Sequence, residues 1–405
     1  MIDTETLKSI EGGLDAGTLA RVKQAVDKVV AAKNRGGKVV VVTGSGPNIH
    51  EGVTTLLAEL MRVGLVDGVT TSSAVVAHEM GGTLDKVKRC AGADVGVPVE
   101  LLPLGGEFEL TLMTDETLRE IRETLPLDEP LLTRLQAAPG KTIIKAAGNL
   151  GYPVGLWLEQ LAREVLILAH SHGSSFEEVA GLGSDRRTMI GIAAEKGLPV
   201  LVTIPQLIGG GMVGLAIGDS LSLTERATRL ARMLSAADVI IESGVALTQE
   251  VHDGPFETYT GHGLWSAWQG HFHYSLAGKS LIRIDLDPTL ERVWRIEREG
   301  GAVQAAIADG LPKTKTFKVP FRMEMSGFAR HEGSLAIIGD LGTIWPLIAG
   351  RTAERLGIQL EFMSYPQQTE AGRAMREAIV NDIRPFSRRR MLAALRERGT
   401  AKSRS

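Results

Sequence analysis

The chain of 405 residues holds one cysteine, Cys90. No internal disulfide can form and no cysteine cluster can hold a metal, so a reducing, cytoplasmic setting is the expectation. Aromatic residues are also sparse, at 4%. A β-sandwich of this length ordinarily carries more of them, and more threonine. Charge of one sign is missing: the formal net charge is -3 and the isoelectric point lies near 6.3. Nothing in that balance draws the chain to nucleic acid or to an anionic membrane. Long apolar runs are absent as well. The nearest candidate, residues 204–218, contains five glycines and is too short to span a bilayer. The opening Met1-Ile2-Asp3-Thr4-Glu5 is acidic and lacks the apolar centre of a signal peptide. A soluble protein acting on a small molecule is the expectation.

Glycine is abundant, with 47 residues, and apolar residues make up 43%. That mixture suits an α/β protein with valine- and isoleucine-rich strands and glycine-dependent turns. Leu19, Val22, Ala25, Val26, Val29 and Val30 share a helical face within residues 17–33. Lys38-Val39-Val40-Val41-Val42-Thr43 reads as a buried parallel strand, followed by Gly44-Ser45-Gly46-Pro47-Asn48 and a helix through residues 52–63. A second strand is expected over residues 67–71, which completes a βαβ unit. Residues 100–140, with four prolines, read as an insertion holding one helix near 115–124. Further strands are expected at 165–169, 199–203, 239–241, 280–285, 335–340 and 358–363. Helices are expected near 155–163, 186–196, 224–236 and 344–356. This alternation predicts an α/β, Rossmann-like fold: one mostly parallel sheet with helices on both faces. The expected organisation is a helical segment at 1–36, a single α/β domain at 37–385, and a basic, disordered tail at 386–405. The tail reads as solvated, or as an arm that contacts phosphate.

Chemistry in such a sheet gathers beyond the carboxyl ends of the strands, where helix N-termini and free N–H groups collect. Three turns, Gly44-Ser45-Gly46, Ser72-Ser73-Ala74 and Glu242-Ser243-Gly244, stand there, and the glycine cluster Gly209-Gly210-Gly211 comes after the strand at 199–203. Gly44 and Gly46 allow a pyrophosphate to approach closely, although the third position of the dinucleotide fingerprint is Ile49 rather than glycine. Asp285 and Asp287 follow a strand and can accept hydrogen bonds from a ribose, or else cap the next helix. Two H-x-H pairs, His170/His172 and His271/His273, lie apart from these turns, with His252, Asp253 and His262 near the second in sequence. On a strand such a pair shares one face, so metal binding is an alternative.

Several stretches resemble the deoxyhypusine synthase superfamily in chain order. They are Lys145-Ala146-Ala147-Gly148-Asn149-Leu150-Gly151-Tyr152-Pro153, the span from Leu182-Gly183-Ser184 to Gly197-Leu198-Pro199-Val200, and Asp238-Val239-Ile240-Ile241-Glu242-Ser243-Gly244. Asn48 and Thr70-Thr71 fall where that family contacts its cofactor. A closer likeness is to the lysine-oxoglutarate reductase/saccharopine dehydrogenase-like C-terminal domain, which includes NAD-dependent ornithine cyclodeaminases. Gly46-Pro47, His50 and Gly52 carry it, then Ala74 with His78-Glu79, then Arg283-Ile284-Asp285-Leu286-Asp287-Pro288.

The resemblance covers about residues 36–310. It implies the deoxyhypusine synthase-like NAD-binding fold, bound NAD and a homo-oligomer, dimer or tetramer. It implies cofactor contacts from Gly44, Ser45, Gly46, Asn48, Thr70, Thr71, Ser72, Ser73, Gly210, Gly211, Ser243, Gly244, Asp285 and Asp287. The implied reaction is ornithine cyclodeaminase-like: transient oxidation of the C–N bond of an amine or amino acid to an imine, with ammonia release. Glu79, with His50 beside it and His78 next in sequence, is expected to serve as acid and base. An aminobutyl transferase is an alternative, but the imine-forming Trp-Gly-Lys segment has no counterpart, and Lys279 in Ala277-Gly278-Lys279 is a poor match. The family's substrate histidine falls near Thr248. A metal-dependent hydrolase or lyase using the H-x-H pairs, and a catalytically silent nucleotide-binding protein, remain as further readings.

Overall fold

The computed structural model describes residues 4–402, apart from 147, 208, 245–267, 269, 271 and 319–327. Nine named strands are described: β1 (Val39–Thr43), β2 (Gly68–Thr71), β3 (Asp85–Ala91), β4 (Glu107–Thr111), β5 (Lys141–Lys145), β6 (Val200–Val202), β7 (Val239–Ser243), β8 (Ser280–Asp285) and β9 (Ser334–Ile338). The chain divides into two compact units, each built from three separate stretches. The single domain expected over 37–385 is therefore replaced by two.

The first unit comprises residues 1–72, 198–206 and 221–366. Its sheet has six strands in the order β6-β2-β1-β7-β8-β9. Every neighbouring pair is parallel. Counted along the chain within this sheet, the order is third, second, first, fourth, fifth, sixth, the doubly wound arrangement. The strand order, not the strand direction, reverses between β1 and β7, and such a switch point opens a crevice beyond their carboxyl ends.

Helices cover both faces, and side-chain alternation decides which residues meet them. Val40, Val42, Ile240, Leu281 and Ala336 form one core with Leu230, Leu234, Leu290 and Val293 of the helices Leu223–Ala236 and Thr289–Glu299. On the opposite face, Trp345 of the helix Leu341–Leu356 reaches Ser243. That helix packs on the helix Ala16–Asn34, whose Val22, Val26, Val29 and Val30 are buried. The carboxylate of Asp15 starts the latter helix by accepting the Thr18 N–H. Each fully buried valine or leucine in these layers contributes about 1.5–3 kcal/mol.

The second unit comprises residues 73–197, 207–220 and 367–405. The segment read as an irregular insertion, 100–140, holds β4 and two helices, Asp115–Thr124 and Glu129–Ala137. β4 joins β3 and β5, on either side of that segment in sequence, to form an antiparallel sheet in the order β4-β3-β5. Cys90, Val95, Leu110, Leu132 and Leu135 form its core. The strand expected at 165–169 is part of one long helix, Val154–His172, which buries Trp157, Leu158, Leu161, Ala162, Val165 and Ala169. A helix also spans Gly211–Ser220. In the first unit the expected strand at 358–363 is absent, those residues being irregular. The basic segment expected to be disordered forms the helix Arg388–Lys402. Phe386 precedes it, packs edge-on against Trp157 at 6.4 Å and is 1% exposed. Arg388 makes a two-pronged ion pair with Glu164.

Candidate functional site

The crevice between β1 and β7 is pinned from within. Asn48, buried on the helix Ser45–His50, donates to the carbonyls of Gly44 at 2.6 Å and Ser243 at 3.2 Å. The Ser243 hydroxyl donates back to Asn48 Oδ1 at 2.5 Å and accepts from Trp345 Nε1 at 2.9 Å. Asn48 and Ser243 were expected to meet a cofactor, but their side chains instead join the ends of two strands. Gly244 follows at φ +98°, a conformation that favours glycine, and its N–H donates to Ile284.

Polar side chains lie along the carboxyl edge of the sheet, where β1 and β7 end level because Thr43 pairs with Ser243. The buried hydroxyls of Thr43, Thr70, Thr71 and Thr203 have no hydrogen-bond partner among the described residues. Thr203 directly follows β6, and its N–H donates to the Thr71 carbonyl at 2.9 Å. On the other side of the crevice, Asp285 ends β8. Its Oδ1 accepts the Asp287 N–H at 2.9 Å, while its buried Oδ2 has no partner. Burial raises the Asp285 carboxyl above the usual range, and the Asp287 N–H and the Arg283 guanidinium pull it back in part. Asp340, which follows β9, likewise leaves Oδ1 buried and without a partner, and burial raises its pKa. Buried polar atoms are normally satisfied, so a row of such atoms marks a place built for a ligand or for ordered water.

Beneath this edge Arg283 and Glu242, both fully buried, lie 3.9 Å apart on paired positions of β8 and β7. Phe328 lies under the Arg283 guanidinium at 5.8 Å. Thr43, Thr203, Trp345 and Asp340 were not singled out in the sequence as site residues, and Glu242 and Arg283 were read there only as parts of longer motifs. Asp340 carried a readable signal, since it ends an apolar run and precedes a helix.

Other expected residues have structural partners. Asp287 is exposed and accepts the Thr289 N–H, so it starts the next helix. Gly44 is buried at the strand end, Ser45 opens the short helix, and Gly46 is half-buried within it. Ser72 is buried at the end of the β2 segment. In the second unit, the Ser73 hydroxyl donates to the Gly209 carbonyl, and Gly210 packs so closely on Ser73 that an added Cβ would sit 2.8 Å from its carbonyl oxygen. Gly211 is pressed in the same way against the Glu159 carboxylate. Gly210 is required by this approach to backbone, whereas Gly211 is favoured by its φ of +61°, since the carboxylate it meets is the movable end of a side chain.

Glu79 differs most from expectation. It is 1% exposed, and its two oxygens accept the N–H groups of Met189 and Ile190 at 2.9 and 3.1 Å. It therefore caps the helix Met189–Lys196 rather than presenting a carboxylate to a substrate. Burial raises its pKa to about 7, against the lowering effect of those two N–H groups. His78, beside it, is buried too. His50 is half-buried at the end of its helix in the first unit.

His170 and His172 sit exposed on the last turn of a helix, not on a strand. They contact the carbonyls of Asp219 and Leu168 at 3.0 and 2.9 Å. His273 is exposed, while His252, Asp253, His262, His271 and Thr248 lie outside the described residues. Among the described residues no group of three or more histidine, cysteine or acidic side chains is placed to hold a metal. Lys279 donates to the carbonyls of Ser235 and Ala237, both at 2.6 Å, and so closes a helix end. No described helix is long and apolar enough to cross a membrane.

No family model matches the chain. It is 35% identical over 154 residues to a probable deoxyhypusine synthase of Methanopyrus kandleri, a match that covers 35% of this chain and 48% of that protein. The chain thus matches about half the length of this relative. Among solved structures, AgrE in ternary complex with ornithine and NAD+ is 15% identical, with 84% of this chain and 34% of that chain covered at a TM-score of 0.41. A conserved putative LOR/SDH protein of Methanococcus maripaludis is 9% identical, with 85% and 70% covered at a TM-score of 0.40. Through the shared 154 residues the chain is a sequence relative of a deoxyhypusine synthase-like protein, the superfamily that its motifs resemble.

Proposed function

We propose that the chain binds NAD along the carboxyl edge of the six-stranded sheet and acts on the C–N bond of an amine or amino acid. One observation carries the reading: the row of buried, unpartnered oxygens on Thr43, Thr70, Thr71, Thr203, Asp285 and Asp340. This donor set fits a dinucleotide. Carboxylate oxygens accept from ribose hydroxyls, and threonine hydroxyls both donate and accept. Asp285 and Asp340 would hold ribose, the threonines would line the β2 and β6 side, and the diphosphate would lie against the turns at 44–46 and 243–244. The solved AgrE complex contains ornithine and NAD+, and the curated relative is a probable deoxyhypusine synthase; both are consistent with this assignment.

The chemistry NAD would supply at this edge is acceptance of hydride from the carbon that bears the amine, and its return. The chain's part is to orient that carbon, exclude water and move a proton. His50, on the helix leaving β1, is assigned the proton transfer, because an imidazole can accept a proton at one ring nitrogen and donate one from the other. Glu79 is excluded from this role by its two backbone hydrogen bonds. The ornithine cyclodeaminase-like course, with ammonia release, is the preferred form of the reaction.

Calorimetric titration with NAD, followed by addition of diamines and basic amino acids while the nicotinamide absorbance is recorded, tests the proposal. Binding and an absorbance change are expected. Absence of NAD binding to the folded protein would remove the assignment, and binding without any absorbance change would favour a silent nucleotide-binding protein.

A further inference from the structure

Asp85 opens β3 in the second unit and is 1% exposed. Its Oδ2 accepts the Gly151 N–H at 2.7 Å, while its buried Oδ1 has no hydrogen-bond partner. Lys145, opposite it on β5, is engaged elsewhere, with the Glu109 carboxylate and the Asn149 carbonyl. Arg89, further along β3, pairs with Glu107 and Glu109. Among the described residues no cation pairs with Asp85. Burying a carboxylate without such a partner is costly, and one hydrogen bond offsets little of that cost.

Two neutral oxygens accompany it. The buried Thr111 hydroxyl has no partner and lies 2.8 Å from the place a Cβ on Gly151 would take, so it borders the glycine that Asp85 holds. Burial raises the Asp85 pKa, and the Gly151 N–H and the Thr111 hydroxyl draw it back in part. Thr83, two residues before Asp85, also buries an unpartnered hydroxyl, and its φ is +74°. That conformation is an outlier for a β-branched residue, and such strain collects at ligand sites.

We infer that Asp85 Oδ1, with the Thr111 and Thr83 hydroxyls, binds a small monovalent cation: sodium, potassium or ammonium. The donors are all oxygen, which suits a hard cation rather than a soft metal. One carboxylate balances one positive charge, whereas calcium gathers several carboxylates. A water molecule would satisfy the hydrogen bonds but leave the buried charge uncompensated. All of these residues belong to the second unit, so the site is independent of the NAD assignment.

Scanning calorimetry of the full chain in sodium, potassium, ammonium and tetramethylammonium chloride at equal ionic strength tests the site. At least one small cation should raise the transition temperature above that in tetramethylammonium, saturably and by about 2–4 °C or more. The cation that acts at the lowest concentration identifies the occupant. Asp85→Asn keeps the shape of the side chain, removes its charge and should abolish the difference. Thr111→Val, a milder change at the same place, should weaken the cation's effect by roughly tenfold in concentration. Equal wild-type transitions in all four salts overturn the proposal whether or not the variants fold, and leave a protonated Asp85 or a water there. A cation dependence retained in folded Asp85→Asn overturns it as well.

Discussion

At the scale of single residues, two carboxylates illustrate opposite uses of burial. Asp285 has one oxygen engaged in a turn and one buried without a partner. If that oxygen accepts a ribose hydroxyl, Asp285→Ala weakens NAD binding by about 1.5–3 kcal/mol, the worth of a hydrogen bond to a charged group. Calorimetry should then show a dissociation constant raised by roughly 10- to 150-fold. An unchanged constant would leave Asp285 with turn duty alone. Glu79 has both oxygens satisfied by backbone, but no cation among the described residues offsets its desolvation, and its pKa rises to about 7. An unfolded glutamate titrates near pH 4.3, so the folded protein holds the proton more tightly between these values. Glu79 therefore contributes most below about pH 4, and that contribution is lost as the pH rises through about 7. Glu79→Gln should flatten the decline in unfolding free energy between pH 5 and 8, by at most about 3 kcal/mol. Urea unfolding at the two pH values measures this, and equal slopes in wild type and variant would contradict it.

Secondary elements show what was legible in the sequence and what was not. β1, β7 and β8 were readable because continuous runs such as Val39-Val40-Val41-Val42 have no solvated side in a doubly covered sheet. Their carboxyl-end turns, and Asp285, followed directly from that reading. Residues 165–169 misled because Val-Leu-Ile-Leu-Ala is apolar on every side. Only the helical spacing of Trp157, Leu161, Val165 and Ala169 distinguishes it from a strand. The helix Gly211–Ser220 was hidden by its glycines, of which Gly214 is needed for close approach to the Gly209 backbone. β3, β4 and β5 were hidden by lysine, arginine and glutamate, which pair across the strands through Arg89–Glu109 and Lys145–Glu109. At the site, Asn48 was identified but its bridging role was not, because its partner Ser243 lies far along the chain. Composition likewise hid the C-terminal helix. Phe386→Ala should cost about 3–5 kcal/mol, the usual range for a buried aromatic reduced to alanine. Urea denaturation checks this, and a loss under 1 kcal/mol would show that the segment is not integral to its unit.

For the whole molecule, the proposed ligand belongs to the unit with the six-stranded sheet. NAD at a hundredfold excess over its dissociation constant should add about 2.7 kcal/mol to the stability of that unit. A calorimetric scan with and without NAD reads this as a raised transition temperature, and no shift at saturating NAD would refute it.

The order in which the strands emerge during synthesis has a consequence for how that sheet is completed. β1 can pair with β2 soon after both are made, yet its other neighbour, β7, follows only after roughly 200 further residues. At about 5–20 residues per second, β1 waits roughly 10–40 s on the ribosome with one edge unpaired. During that interval the stretch 73–197 of the other unit is translated in full. An exposed edge of four consecutive valines invites pairing with another nascent chain. Expression yield should therefore respond to chaperones that shield nascent chains more strongly than the stability of the finished protein would suggest.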